Sequence, residues 1–324
     1  MVRVLSDSAV AQCLSLSELL PVVREAFVRQ GRDEVERPER PHFPVGAGPD
    51  GSDPAGTGLV MPAYVRGADY YATKLVGVHE GNAERGLPTV NAQIALTAAD
   101  TGLPAGYLAG TRITNARTGC IGGLAAAELA TGPVTLGLLG AGTQARWQAR
   151  AIDAATDLDA VRVYSPSDSK RECAADLGDE LGVPAEPVDA PEAAVAGANV
   201  VVTATTATDP VFDGGALDPG TLVVAVGAYE AEMRELDAET FERASRLFAD
   251  VPAEVAEIGD AREAGLDAED FAPLSVVFDG DRGRERADEI LVVESVGTAV
   301  LDAAAAEHVF DAAETRDAGT EVPL

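Results

Sequence analysis

Thr135-Leu136-Gly137-Leu138-Leu139-Gly140-Ala141-Gly142-Thr143-Gln144-Ala145 joins an apolar run to a G-x-G-x-x-A turn. The run predicts a strand, and a helix is predicted directly after the turn. Gly140 permits the tight turn, Gly142 lets the backbone approach a pyrophosphate, and Ala145 allows the helix to pack closely on the strand. Because the N-terminus of such a helix attracts phosphate groups, the stretch predicts a dinucleotide-binding loop.

Beyond this loop, predicted strands alternate with helices of 10–15 residues. Strands are predicted at 134–139, 161–164, 199–203, 221–226 and 246–249, and helices at 117–130, 144–155 and 169–181. Such alternation is typical of a doubly wound parallel sheet. The sequence therefore predicts an α/β fold with a Rossmann domain over residues 117–298.

The sequence on either side of that domain predicts a second, smaller α+β domain, made of residues 1–116 and 299–324. Mainly antiparallel strands are predicted at 59–61, 70–78, 89–98 and 106–109, because short β-prone runs are separated by Gly, Pro and Asp. Ser15 and Glu18 predict a capping box at the start of a helix that ends near residue 30. A loop is predicted at 37–58, with a short strand at 42–45. A last helix at 298–310 is expected to return to this domain, with a frayed tail after Asp311.

The charge of the chain is unusual. It has 54 Asp and Glu residues against 24 Lys and Arg, a formal net charge of −30, and its only lysines are Lys74 and Lys170. The electrostatic field of such a negative charge repels nucleic acid and anionic membranes, so neither is expected as a partner. Concentrated salt screens the self-repulsion. We interpret the composition as halophilic, of the haloarchaeal type; an acidic partner-binding surface in a mesophile is the alternative.

Other composition features indicate a cytoplasmic protein without a metal site. No apolar run approaches the roughly 20 residues that cross a bilayer, and the N-terminus lacks the pattern of a secretory signal. Cys13, Cys120 and Cys173 are widely spaced, which predicts free thiols in a reducing compartment. The three histidines show no metal-ligand spacing.

Candidate cofactor residues follow the predicted strands of the Rossmann domain. The strand before residue 165 ends on Ser165, where an acid would hold the ribose hydroxyls of NAD. Ser165, Ser167 and Lys170 instead suit a 2′-phosphate, so NADP is favoured over NAD, although Lys170 also fits a solvated helix position. The remaining candidates lie on the nucleotide loop or at the ends of later strands: Gly140, Gly142, Thr143, Gln144, Thr203, Thr205 and Val226.

Three cations precede the nucleotide loop: Arg40, Lys74 and Arg117. The two-residue alternation of a strand places Lys74 on the same face as Ala72 and Val76. A lysine on an apolar face, in a chain almost free of lysine, suggests a fixed anionic or catalytic partner. Structural ion pairs explain Lys74 and Arg117 equally well from spacing alone.

At these residues the chain resembles the ornithine cyclodeaminase/mu-crystallin family over nearly its whole length. The resemblance rests on short motifs in the family's order: Pro38-Glu39-Arg40, Val60-Met61-Pro62, Thr73-Lys74-Leu75-Val76, Thr114-Asn115-Ala116-Arg117-Thr118, the nucleotide loop, Val226-Gly227-Ala228, Arg234-Glu235-Leu236-Asp237 and Glu294-Ser295-Val296-Gly297. It implies an NAD(P)-dependent oxidoreductase whose substrate carboxylate is held by Arg40, Lys74 and Arg117. It also implies a homodimer whose first domain supplies the interface sheet.

Two departures from the family pattern affect the expected activity. Leu108-Ala109-Gly110 stands where many members have Met-Asp-Gly, and Tyr229 occupies the position of the aspartate general base of cyclodeaminases. A tyrosine is a poor base near neutral pH, whereas reduction of a preformed iminium needs only hydride delivery and an electrostatic clamp. The resemblance therefore favours reduction of a small α-imino acid, as in ketimine reductases, with Lys74 and Tyr229 as candidate catalytic residues. Alternatives are an amino acid dehydrogenase such as alanine dehydrogenase, ornithine cyclodeaminase, and a non-catalytic NADPH-dependent binding protein.

Overall fold

A computed structural model describes residues 1–46 and 53–323 of the chain. The protein forms two compact units, one made of Met1–Arg117 and Ala299–Leu324 and the other of Thr118–Thr298. The strands are β1 (Val2–Leu5), β2 (Val35–Glu36), β3 (His42–Val45), β4 (Gly56–Val65), β5 (Tyr70–Val78), β6 (Val90–Ala98), β7 (Pro104–Ala109), β8 (Val134–Leu139), β9 (Leu158–Tyr164), β10 (Ala185–Pro187), β11 (Val200–Thr203), β12 (Leu222–Ala225), β13 (Arg246–Ala249), β14 (Phe271–Pro273), β15 (Leu291–Glu294) and β16 (Thr320–Val322).

The helices vary from single turns to five turns. They are α1 (Asp7–Cys13), α2 (Leu16–Gly31), α3 (Gly110–Leu129), α4 (Thr143–Ala155), α5 (Ser169–Leu181), α6 (Pro191–Val195), α7 (Ala238–Arg243), α8 (Pro252–Val255), α9 (Gly259–Ala264), α10 (Ser275–Phe278) and α11 (Ala299–Arg316), with 3-10 turns at Glu80–Arg85, Gly214–Ala216 and Ala268–Asp270. No helix in the described part of the chain is long and apolar enough to span a membrane.

The first unit is built on a mixed sheet in the order β16-β1-β7-β6-β5-β4-β2, with β3 also paired to β4. All of its pairings are antiparallel except that of β1 with β7, so the predicted antiparallel sheet is confirmed. Helix α11 packs against β4 and β5 and also against α2. One face of the sheet is therefore covered, and its side chains include the buried Ala72, Ile94 and Leu108.

This unit differs from the sequence prediction in several details, among them the strands β1 and β2 and helix α1, which were not predicted, and the start of α3 at Gly110 instead of residue 117. Ser15 is the N-cap of α2, but its hydroxyl makes no capping bond and lies 2.9 Å from the Ser17 hydroxyl, so the predicted capping box is wrong. The tail does not fray after Asp311, because α11 continues to Arg316 and β16 pairs with β1. The predicted loop at 37–58 ends early, where β4 begins, and its residues 47–52 lie outside the described part of the chain.

The second unit contains a fully parallel sheet in the order β10-β9-β8-β11-β12-β15-β13-β14. Strands β8, β11, β12 and β15 are almost completely buried, which agrees with their continuous apolar sequences. The chain winds outward in opposite directions from β8, first to β9 and β10 and then to β11 and β12. The carboxyl ends of β8 and β11 therefore form a topological switch point, where α/β proteins bind their ligands.

Candidate active site

A buried ionic cluster in the first unit contains Lys74 and Arg117, two of the three cations predicted to hold the substrate carboxylate. Lys74 Nζ lies 2.6 Å from Asp302 Oδ2, and Arg117 Nε lies 3.1 Å from Asp302 Oδ1. Thr114 Oγ1 donates a third hydrogen bond to Asp302 Oδ1 at 3.1 Å. The exposed fractions of the Lys74, Arg117 and Asp302 side chains are 2%, 5% and 2%. Three donors thus converge on one carboxylate that water does not reach.

The local sequence explains how these groups come to be buried. On β5, residues alternate between the covered face and the opposite face, and Lys74 lies on the covered face. Its cross-strand neighbours are Met61 on β4 and Ile94 on β6, both buried. Asp302 extends from a segment of α11 that is otherwise apolar, from Ala299 to Ala306, and α11 packs on β4 and β5.

The cluster carries a net positive charge, because two cations share one anion. Burial lowers the pKa of Lys74 to about 8; Arg117 and Arg40 add to this lowering, and Asp302 opposes it. Burial raises the pKa of Asp302, but the charges of Arg117 and Lys74 outweigh burial and lower it overall. Arg40 is thus electrostatically coupled to the cluster. At neutral pH the pair is ionised, and Lys74 can exchange a proton near pH 8.

Arg117 also has an unused donor. Its Nη1 is shielded from solvent and has no hydrogen-bond partner within residues 1–46 and 53–323. Burying an unpaired donor of a charged group is costly. Together with the excess positive charge, this donor makes the cluster suited to a carboxylate ligand, since a carboxylate supplies both acceptor oxygens and the missing negative charge.

In the second unit, the loop between β8 and α4 has the geometry that a dinucleotide requires. Gly140 has φ of +117°, and a Cβ there would lie 2.5 Å from the carbonyl oxygen of Ala204, so only glycine fits. A Cβ on Gly142 would meet nothing within 4 Å, so open space adjoins the start of α4. Gln144 Nε2 is a buried donor without a partner among the described residues. These observations fit a bound pyrophosphate.

Ser165, directly after β9, stands where an acid would hold the ribose hydroxyls, and the hydroxyl groups of Ser167 and Ser169 lie close to it. Ser167 Oγ lies 2.6 Å from Ser169 Oγ, and Ser165 Oγ lies 3.3 Å from Ser167 Oγ. Lys170 Nζ lies 3.1 Å from Asp189 Oδ1 and 5.7 Å from the centre of the Tyr164 ring. The structure therefore brings Ser165 and Ser167 together and gives Lys170 an ionic partner.

The candidate residues at the ends of β11 and β12 meet around Glu235, which is buried. Glu235 Oε1 accepts hydrogen bonds from the backbone and hydroxyl of Thr205, both at 2.7 Å. Glu235 Oε2 accepts from the Thr203 hydroxyl and the Gly227 backbone, both at 2.8 Å. The backbone N–H of Val226 donates to the carbonyl oxygen of Thr203 at 3.0 Å. Burial raises the pKa of Glu235 to about 7, against the lowering effect of these hydrogen bonds.

Sequence reasoning missed Asp302 and the role of Glu235. Asp302 had one usable signal, since it is the only charged residue between Ala299 and Ala306. Glu235 lies in a recognised motif, but nothing in the motif shows that its side chain reaches two strand ends. Tyr229, a predicted catalytic residue, is partly buried in the second unit and packs against that unit's apolar core. Its predicted role rests on the resemblance alone.

Comparisons with known proteins support this description. The family description "Ornithine cyclodeaminase/mu-crystallin family" matches residues 2–317. A Delta(1)-pyrroline-2-carboxylate reductase of Bacillus cereus is 31% identical over 98% of this chain and 99% of that protein. The structure of the Thermococcus litoralis Delta(1)-pyrroline-2-carboxylate reductase in complex with NADH and L-proline has a TM-score of 0.93 at 31% identity, covering 99% of this chain and 100% of that one. An archaeal alanine dehydrogenase dimer with bound NAD has a TM-score of 0.89 at 29% identity, covering 100% and 99%. The predicted fold class is confirmed.

Proposed function

The chain belongs to the ornithine cyclodeaminase/mu-crystallin family, and we propose that it is an NAD(P)-dependent oxidoreductase that interconverts a small α-imino acid and its L-amino acid. A cyclic imino acid such as Δ1-pyrroline-2-carboxylate is the proposed substrate class. Relatives from Bacillus cereus and Thermococcus litoralis that match almost the whole chain carry that activity in their names, and the chemistry of the ionic cluster agrees with it.

The observation that carries the proposal is the buried cluster of Lys74, Arg117 and Asp302. It contains one more positive than negative charge, and Arg117 Nη1 is a buried donor that the described residues leave unpaired. An α-imino acid places a carboxylate next to the C=N bond that is reduced. A carboxylate bound by Arg117 and Arg40 would therefore hold the imine nitrogen at a fixed distance from the cluster.

Lys74 is the proposed proton donor to the imine nitrogen. A bound nicotinamide cofactor, when reduced, supplies the hydride that adds to the imine carbon. When the imine binds in its neutral form its nitrogen must gain a proton, and an ammonium group with a pKa of about 8 gives one up near neutral pH. Asp302 holds Lys74 Nζ in place and favours its charged form. In the reverse direction the neutral amine of Lys74 accepts the proton.

The cofactor is proposed to be NADP in preference to NAD. Support comes from the hydroxyl groups of Ser165, Ser167 and Ser169 at the end of β9, where an acid would repel a 2′-phosphate. The pairing of Lys170 with Asp189 weighs against a role for that lysine. Ser165→Asp tests the preference: the kcat/KM ratio of NADPH to NADH should fall at least tenfold. A wild-type enzyme that prefers NADH would contradict the proposal.

A homodimer in the cytoplasm is also proposed. The face of β5 opposite Lys74 exposes Tyr71 and Leu75, at 40% and 42%, and Tyr107 on β7 is exposed by 44%. A second copy of the sheet would cover this apolar surface. The archaeal relative with bound NAD is described as a dimer. Within the described part of the chain Cys13, Cys120 and Cys173 are buried and form no disulfide, which fits a reducing compartment.

Alanine dehydrogenase activity is the second candidate, because the archaeal relative has that name. The proposed contacts of the ionic cluster are with the carboxylate and the imine nitrogen, which all α-imino acids share, so the two candidates differ in substrate side chain and not in mechanism. Purified protein in molar KCl separates them. Oxidation of NADPH or NADH with Δ1-pyrroline-2-carboxylate supports the first candidate, and oxidation only with pyruvate and ammonia supports the second. Redox-neutral release of ammonia from ornithine, or nucleotide binding without any turnover, would contradict both.

A further inference from the structure

A buried carboxylate joins the ends of two neighbouring strands in the second unit, beside the switch point of the parallel sheet. Glu235 follows β12 in sequence and accepts four hydrogen bonds, two on each oxygen. Thr203 and Thr205 lie at the end of β11, and Gly227 lies just beyond β12. We propose that Glu235 is a positioning residue that fixes these two strand ends as the binding surface for the nicotinamide half of the dinucleotide.

The assignment to the nicotinamide half follows from the strand order. A Rossmann sheet consists of two mononucleotide-binding halves, and the loop after β8 together with the end of β9 belongs to the adenosine half. Strands β11 and β12 lie on the other side of the switch point. Their ends are therefore available to the nicotinamide half. The inference rests on the proposed nucleotide-binding function, and it assigns a role to Glu235 that the substrate proposal does not use.

The local packing shows how closely the two strand ends are held. A Cβ added to Gly227 would lie 2.3 Å from the carbonyl oxygen of Thr205 and 2.5 Å from Glu235 Oε1. The backbone of Glu235 is fixed in turn, because Asp260 Oδ1 accepts hydrogen bonds at 2.7 Å from the backbone N–H groups of both Glu235 and Leu236. Asp260 thus fixes the backbone of Glu235, and the side chain of Glu235 in turn fixes the ends of β11 and β12.

Glu235→Gln keeps the shape of the side chain but cannot satisfy all four of its hydrogen-bond donors. Each oxygen of Glu235 faces one backbone N–H, of Thr205 on one side and of Gly227 on the other. A hydroxyl can rotate to accept a hydrogen bond, but a backbone N–H cannot. In Glu235→Gln the new NH2 group must therefore face one of these N–H groups, whichever way the amide is turned. One partly buried backbone donor loses its partner, and the two strand ends separate locally.

Asp237 offers a matched control. It is a nearby acid of the same unit that also accepts backbone and hydroxyl hydrogen bonds, but these come from Thr240 at the start of the short helix α7 and from Gly214, not from β11 or β12. Asp237→Asn therefore removes a comparable set of hydrogen bonds away from the proposed surface. It should lower the Tm without selective loss of nucleotide affinity.

The experiment compares the Kd of NADPH with that of 2′,5′-ADP, which contains only the adenosine half, by calorimetry in molar KCl. Glu235→Gln should weaken NADPH at least tenfold and change 2′,5′-ADP by less than about twofold, and amide exchange should accelerate at Thr205 and Gly227. Equal losses for both ligands, or no loss for NADPH, would overturn the proposal. If Glu235→Gln does not fold, Glu235→Asp, which is too short to reach both strands, is measured in the same way.

Failure of this inference is distinguishable from failure of the proposed function. A wild-type protein that binds NADPH but reduces no imino acid would contradict the proposed substrate class, and the binding experiment on Glu235 would still be informative. A wild-type protein that binds 2′,5′-ADP no more weakly than NADPH would contradict the nicotinamide surface itself. Lack of binding of NADPH, NADH and 2′,5′-ADP alike would contradict both the nucleotide site and the role of Glu235.

Discussion

Asp302→Asn isolates the electrostatic role of the buried cluster, because asparagine has nearly the same shape as aspartate and no charge. The side-chain amide can accept from Lys74 or from Arg117, but its NH2 group must then face the other cation. The cluster changes from two cations sharing one anion to two cations without an anion. Removing one partner of a buried ion pair costs about 3–5 kcal/mol. At about 2–4 °C per kcal/mol for a unit of this size, the Tm should fall by roughly 6–20 °C.

The same variant should move the pH dependence of catalysis. Lys74 must be protonated to donate in the reductive direction, so the wild-type kcat/KM should fall as the pH rises through about 8. The oxidative direction needs the neutral amine, and its kcat/KM should rise through the same pH. Asp302 raises the pKa of Lys74. Loss of its charge should therefore shift both limbs of the pH profile, the fall of the reductive kcat/KM and the rise of the oxidative kcat/KM, to lower pH. Stopped-flow or steady-state rates between pH 6 and 10 measure the shift.

Glu307→Gln is the control for this experiment. Glu307 lies on the same helix, α11, but its Oε1 accepts a hydrogen bond from the backbone of Asp69 at 2.9 Å and not from the cations. This variant should lose some stability and keep both pH limbs at their wild-type positions. If Asp302→Asn lowers the Tm and leaves the limbs unmoved, the cluster is structural and Lys74 is not the proton donor.

Three further predictions concern nucleotide binding, salt and assembly. Gly142→Val fills the open space beside α4, so the Kd for NADPH should rise at least a hundredfold with little change in Tm, whereas unchanged binding in a titration would remove the phosphate site from this loop. A formal net charge of −30 predicts a Tm that rises steeply from 10 mM salt to 2 M KCl, because the Debye length of about 30 Å at 10 mM leaves the self-repulsion largely unscreened. A Tm that does not change with salt contradicts the halophilic interpretation. Leu75→Glu charges the exposed sheet face and should yield monomers in light scattering, with the fold retained in circular dichroism, while a dimer of unchanged stability would place the interface elsewhere.

Much of the fold could be predicted because its signals are local. The strand at 134–139, the helix at 169–181 and the strand at 246–249 have the predicted bounds. The elements that were missed are short or depend on distant pairing. Strand β16 forms because β1 offers it an antiparallel partner about 320 residues away in the chain, and nothing within its three residues signals that pairing.

The site could be predicted only as a set of residue types. Lys74 was recognisable because a lysine on an apolar strand face is costly unless it is paired, and Arg117 was recognisable because it lies in a motif of the family. Their partner Asp302 follows them by more than 180 residues, and only the packing of α11 on β4 and β5 brings it to them. Glu235 is similar, since its four donors come from three separate positions along the chain. In a sequence with 54 acidic residues, composition gave no reason to select these two.

Transfer of deuterium from the cofactor to the substrate follows the proposed hydride step itself. Wild-type protein in molar KCl is given [4-2H]NADPH of either stereochemistry and Δ1-pyrroline-2-carboxylate, and the proline formed is analysed by mass spectrometry and NMR. One of the two labelled cofactors should place deuterium at the α-carbon of L-proline, and Lys74→Ala should form almost no product while still binding NADPH. Absence of label at the α-carbon with both cofactors, or a Lys74→Ala variant with wild-type turnover, would contradict the proposed mechanism.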